Sequence, residues 1–176
     1  MTAPDPVGIL TAAFPNIDFA PAPLVRNAQG DSDQVCVRVP ALRLLDVMRF
    51  LRDDPRTRFE QLCDLTCVDY LQFPGARDRY GVTYALLSLT HGHRLWAKCF
   101  ANDPDPEVPS VCPIWKGAEW LEREVYDLFG VRFAGHPDLR RIVTWDGFTA
   151  HPLRKDYPLR GRGEREDYDV VTRESA

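Results

Sequence analysis

The chain lacks any long apolar run: in its 176 residues the best is Tyr84-Ala85-Leu86-Leu87-Ser88-Leu89, far short of the roughly 18 consecutive apolar residues that a spanning helix needs. The sequence therefore predicts no membrane crossing. It also lacks GxGxxG, Gly-x-x-x-x-Gly-Lys-Ser/Thr and HExxH, so no dinucleotide, nucleotide-phosphate or zinc-protease site is announced. No nucleophile elbow, internal repeat or low-complexity segment is present. The opening Met1-Thr2-Ala3-Pro4-Asp5-Pro6 carries two prolines and an aspartate, where a secretory signal places basic residues before an apolar stretch and an organellar presequence is rich in Arg and Ser. The expectation is a chain that stays in a bacterial or similar cytoplasm.

Five cysteines (Cys36, Cys63, Cys67, Cys99, Cys112) are an odd number at irregular spacing, which does not fit a secreted disulfide framework and predicts reduced thiols. Cys63 and Cys67 would share a face on a helix and could ligate a metal with the other three, but the two- or three-residue spacings of zinc and iron–sulfur motifs are missing. His91 and His93 alternate across a short turn with no third ligand at a recognisable spacing; a polar hairpin tip accounts for them.

What is present is an ordinary soluble balance, 44% hydrophobic and 27% charged, in a length that suits one compact unit with tails. The net charge of −4 is uneven. From Arg132 to Arg165 eight basic residues face four acids, so that segment is +4 and the remainder −8. A basic stretch can serve nucleic acid, anionic lipid or an acidic protein partner. Prolines 137, 152 and 158 and the absence of any base-reading pattern argue against nucleic acid.

Fifteen prolines cut the chain into short elements. The sequence predicts a brief helix over 7–14, a short strand over 35–39, and a helix from Ala41 to Asp53, where Leu44, Leu45, Met48 and Leu51 recur at spacings of three and four between Pro40 and Pro55. Residues 58–71 mix both periods and read as a helical turn running into a strand. Tyr80–Thr90 and Arg94–Ala101 predict an antiparallel hairpin. A second helix is expected from Ile114 to Phe129, capped by Gly130. On a wheel, Ile114, Ala118, Leu121, Val125 and Leu128 form its core face; Glu122 and Glu124 flank that stripe and Arg123 points outward.

The dense stretch is 119–159. It contains Glu122-Arg123-Glu124, Asp127-Leu128-Phe129, His136 and Arg140, then His151-Pro152-Leu153-Arg154-Lys155-Asp156-Tyr157-Pro158. This resembles the signature of the 30 kDa subunit family of proton-pumping NADH:quinone oxidoreductase, respiratory complex I: Glu-Arg-Glu, an acid, two apolar residues, then His and Arg or Lys. Asp64-Leu65-Thr66-Cys67-Val68-Asp69-Tyr70, the Tyr84–Leu89 strand and Pro109-Ser110-Val111 are also similar to the family, so the likeness covers about 35–160.

The resemblance implies a structural and assembly subunit of the complex's peripheral arm. It would carry no prosthetic group and no catalytic residue, flavin and iron–sulfur clusters belonging to sister subunits. Its neighbour would be the protein that carries most of the quinone site, and its place the cytoplasmic face of the bacterial inner membrane, held indirectly through the complex. The equivalent subunit of a membrane-bound hydrogenase, or of a ferredoxin- or plastoquinone-linked oxidoreductase, is the near alternative. A stand-alone Cys/His metalloprotein is the distant one.

The expected architecture is α+β: a small, mostly antiparallel sheet with helices packed on one face, followed by an extended C-terminal arm. Its parts are an N-terminal segment (1–34), a compact domain (35–130), and a basic arm with a charged tail (131–176). Pro137, Pro152 and Pro158 hold the residues before them extended, so 131–160 should run over a surface. Arg140, Arg141 and Arg154 offer planar forks for Glu122 and Glu124 or for acids on a partner. With Arg123, Asp127, His136, His151, Lys155 and Asp156 they make up the expected docking set. The arm is expected to be rooted at the Glu122-Arg123-Glu124 helix and ordered mainly by the neighbouring protein, and the tail 160–169 to order only against a partner.

Overall fold

The computed structural model describes residues 5–19, 26–27, 30–31 and 35–164. Helix α1 (Pro6–Ala13) begins at Asp5, whose carboxylate accepts the Val7 amide at 3.0 Å, with Pro6 in the first turn. Strands β1 (Arg26–Asn27) and β2 (Gly30–Asp31) form a minimal antiparallel pair. Strand β3 (Cys36–Arg38) follows. Pro40 then opens a single 3-10 turn that leads into α2 (Leu44–Asp53).

Strand β4 (Gln61–Asp69) is where the mixed reading of 58–71 fails: this stretch enters the sheet without a helical turn. Phe59, Leu62 and Leu65 have a helix-like spacing, but pairing with β5 (Tyr80–Ser88) decides their conformation, and a bulge between Leu62 and Asp64 accommodates the register. Strands β5 and β6 (His93–Ala101) form the predicted hairpin. His91 and His93 use Nε2 against the Pro55 and Thr57 carbonyls at 2.9 and 3.3 Å, tying the turn to the loop after α2.

The sheet order is β3-β6-β5-β4, antiparallel except for the parallel edge pair β3–β6. Val82, Tyr84 and Leu86 of β5 stand beside Cys99, Ala97 and Leu95 of β6 on one face. Leu44, Val47, Met48 and Leu51 of α2 join them in a single core, as do Leu10, Ile17 and Phe19 from the first segment. Each fully buried large apolar side chain there contributes roughly 1.5–3 kcal/mol.

Strand β7 (Glu107–Pro109) pairs in parallel with β8 (Arg132–Ala134), and between them lies α3 (Ala118–Phe129), against β4. Helix α3 starts four residues later than expected: Ile114–Gly117 form turns, in which the Ile114 and Trp115 amides both reach the Val111 carbonyl. Beyond β8 the chain runs to Glu164 in bends and turns over the surface, as the prolines predicted. The end of the charged tail predicted for 160–169 lies outside the described residues.

Candidate functional site

A helix leaves its last four carbonyls without intrahelical partners. In α3 all four are satisfied. The Gly130 amide reaches Tyr126 O at 2.8 Å, His151 Nδ1–H reaches Asp127 O at 2.8 Å, the Leu153 amide reaches Leu128 O at 3.0 Å, and Arg154 Nε reaches Phe129 O at 2.6 Å. Three of these donors come from the His151-Pro152-Leu153-Arg154 segment, so the arm is itself the cap. The Arg154 charge at a helix C-terminus also opposes the helix dipole favourably. Gly130 makes the approach possible: at φ 75° it turns the chain left-handed, and a Cβ there would collide with Arg154 Nη2 and lie 2.6 Å from His151 Cδ2. Burial holds His151 below its ordinary pKa, which keeps a neutral ring as a single-proton donor.

Asp127, with 0% exposure, organises the next stretch of the arm. One carboxylate oxygen accepts the amides of Ile142, Val143 and Thr144 at 3.0, 2.7 and 2.8 Å; the other accepts Arg141 Nη1 at 2.6 Å and the Thr144 hydroxyl. Burial alone would raise its pKa, but the Thr144 hydroxyl and the three amides outweigh it and hold the group well below the usual carboxylate range. Arg123 takes the preceding residues, donating to the Arg140 and Arg141 carbonyls at 3.1 and 2.9 Å while its guanidinium lies over Trp120.

Asp69 and Arg79 form a second anchor. Arg79 reaches both Asp69 oxygens at 3.3 and 3.1 Å, Asp103 at 2.6 Å and Asp156 at 2.8 Å. Asp69 also accepts the Lys155 amide at 2.9 Å. Burial opposes its ionisation, yet Arg79 and the amides keep its pKa low. The Tyr80 ring lies under both Arg79 and Arg154.

The structure corrects three expectations about this region. Arg123 is buried rather than outward, because the arm's carbonyls cover it. Arg140, Arg141 and Arg154 do not pair with Glu122 or Glu124: Arg140 pairs with Asp138, Arg141 with Asp127, and Arg154 with a helix carbonyl. The arm, expected to be ordered mainly by a neighbour, is fixed by its own chain at Arg123, Asp127, the α3 terminus and Asp69. Glu122 is fully enclosed beneath the β7–α3 connection, accepting the Val111 amide at 2.7 Å and the Cys112 thiol at 3.4 Å. Burial raises its pKa, only partly offset by Ser110 and the Val111 amide. Of the expected set only Glu124, Arg140 and the side chains of Lys155 and Asp156 face outward. Sequence reasoning missed Arg79 and Thr144, which carried no local signal, and left Asp69 unassigned although it ends a stretch similar to the family's.

Donor atoms of Cys112, Glu122 and His136 lie within 4.8 Å of one another. The His136 Nδ1 accepts the Asp138 amide at 3.0 Å and its Nε2 faces the Glu119 carbonyl at 3.1 Å, so both ring nitrogens are in use. The Cys112 thiol is pushed up to about 11 by burial, and burial takes Cys67 and Cys99 to about 12. None of these settings favours a thiolate ligand. Cys63 occupies the β4 bulge, exposed, while Cys67 faces the core, which separates the two thiols.

Over these anchors the arm presents apolar side chains outward: Val143 is 61% exposed, Leu153 48% and Leu159 fully so. Val143, Trp145, Phe148, Pro152, Tyr157 and Leu159 line a cleft of about 580 Å³. Among the described residues no helix is long and apolar enough to cross a membrane.

Residues 37–163 match the family described as respiratory-chain NADH dehydrogenase, 30 kDa subunit. The corresponding NADH-quinone oxidoreductase protein of Cupriavidus taiwanensis is 48% identical over 141 residues, 78% of this chain and 71% of that protein. Among solved structures, a trypsin-resistant fragment of Nqo5 superimposes with a TM-score of 0.57 at 36% identity, covering 65% of this chain and 87% of the fragment. A chain of an archaeal membrane-bound sulfane sulfur reductase gives a TM-score of 0.68 at 22% identity over 94% of this chain and 92% of its own, a likeness of fold alone. The match across the arm and its anchors, with similar relatives over most of the length, places this chain in the 30 kDa subunit family of respiratory-chain NADH dehydrogenases.

Proposed function

We propose that the chain is a structural subunit of the peripheral arm of a proton-pumping NADH:quinone oxidoreductase, supporting the module that passes electrons from NADH to quinone. It works without a flavin, cluster or metal of its own and contributes no catalytic residue. Its principal neighbour is the protein that carries the quinone site, and it sits on the cytoplasmic face of the membrane through the complex alone. The observation that carries this reading is the arm: a polar network fixes its backbone from beneath, while Val143, Leu153 and Leu159 are left on its outer side. Apolar side chains displayed on a pre-ordered surface suit a permanent protein contact, because little ordering entropy remains to be lost on binding. The names of its relatives support NADH as the electron donor and a quinone as the acceptor.

The test is to tag the chain in its host, solubilise the membranes gently, purify, and assay NADH oxidation with a quinone acceptor. A large flavin- and cluster-bearing assembly with that activity is expected. Recovery with hydrogenase or ferredoxin-dependent proteins would move the chain to a related machine, and a lone chain carrying stoichiometric metal would overturn the reading.

A further inference from the structure

The sheet has a second face, away from the helices. There Arg38 stands beside Lys98, Lys98 beside Thr83, and Phe100 beside Gly81. Gly81 lets two rings close over the strand: a Cβ on it would lie 2.7 Å from Tyr70 and 3.1 Å from Phe100. Between these rings and the 71–79 loop opens a cleft of about 440 Å³.

Its charge is unbalanced. Arg38, Arg77 and Lys98 line it against a single acid, Asp78, and that acid is already held by Arg38 at 2.6 Å and by the Asn102 side chain at 2.9 Å. Lys98 is only 8% exposed, and its Nζ has one hydrogen-bond partner among the described residues, the Tyr70 hydroxyl at 3.0 Å. Arg77 is exposed and its guanidinium makes no hydrogen bond among the described residues. An ammonium this enclosed without a carboxylate is costly unless an anion completes it. Phe73, 64% exposed, stacks edge-on against Tyr70 at the rim and offers an apolar contact beside the cations.

We propose that this cleft is a second docking surface, distinct from the arm, that receives an acidic segment of a neighbouring protein of the assembly: a carboxylate against Lys98 and Arg77, with an apolar or aromatic residue against Phe73 and Phe100. The charge complementarity sets the partner's chemistry, since a basic or purely apolar segment would leave Lys98 unpaired. The inference rests on the chain being a subunit of a larger assembly.

Photo-reactive benzoylphenylalanine placed at Phe73, and separately at Leu159 on the arm, tests it in the purified complex. After irradiation, mass spectrometry identifies what is joined. The expected result is that the Phe73 probe captures a segment of another protein of the complex with Asp or Glu within a few residues of the joined site. Arg77→Glu, an exposed change that leaves the fold intact, should lower that yield about tenfold while the Leu159 product is unchanged. If Leu159 captures a neighbour and Phe73 captures none, or captures lipid or a basic or purely apolar segment, the proposal fails and the proposed function stands. If no complex is recovered, both fail.

Discussion

The Asp127 carboxylate and the Arg141 guanidinium lie 2.6 Å apart with the acid fully enclosed, and the same carboxylate holds three consecutive arm amides. Removing one member of such a buried pair leaves the other charge uncompensated, at a cost of about 3–5 kcal/mol. Asp127→Ala should therefore lower the stability of the isolated chain by about 3 kcal/mol in urea unfolding followed by tryptophan fluorescence. Arm residues 140–146 should become the first site of proteolytic cleavage.

The same network sets a dependence on pH. Asp69 and Asp127 are held below the usual carboxylate range, so the stability they contribute is complete above their unfolded-state value of about 3.9 and is lost as the pH falls through their folded values. Glu122 acts in the opposite sense: its raised folded value makes its ionisation a penalty that grows as the pH rises from about 4.3 toward that value. Urea titrations should show Glu122→Gln gaining on the native chain from pH 4 to pH 7, whereas Asp127→Asn should lose most at pH 7 and little at pH 3.

Gly130→Ala joins two costs at one position. A side chain at φ 75° is strained by about 1 kcal/mol, and its Cβ would displace His151 and Arg154 from the α3 carbonyls. A loss above about 2 kcal/mol is expected, together with faster exchange of the Leu153 amide.

Glu124 is exposed and makes no hydrogen bond or ion pair among the described residues, and Arg140 pairs only with Asp138, its guanidinium largely in water. Glu124→Ala and Arg140→Ala should change the isolated chain by no more than about 0.5 kcal/mol. Both should nevertheless lower the amount of assembled complex on native gels more than its turnover per complex. Full assembly with lost turnover would refute a docking role for these two residues.

The sequence is most readable where one period dominates. Helix α2 and the β5–β6 hairpin were legible because Leu44, Met48 and Leu51, or the alternation through Val82, Tyr84 and Leu86, leave one solution. The start of β4 was not, because Phe59, Leu62 and Leu65 have a helical spacing that only pairing with Leu86 and Tyr84 overrides. Local geometry also misplaced Arg123, since what buries it lies 17 and 18 residues away, at the Arg140 and Arg141 carbonyls. Arg79 contacts Asp156 across 77 residues; no local pattern announces such a pair. The family likeness marked Asp127, His151 and Arg154 as important, but only the fold reveals that they secure the arm rather than face outward.

On this account the arm is built by its own chain and offered ready-made to the neighbouring protein. Amide hydrogen exchange on the free chain tests that most directly, at Ile142, Val143, Thr144 and Leu153, whose donors go to Asp127 and to the α3 terminus. Protection of these four amides close to that of α3 itself is the predicted result. Exchange at the rate of an unstructured peptide, while α3 stays protected, would contradict it and assign the ordering of the arm to the partner.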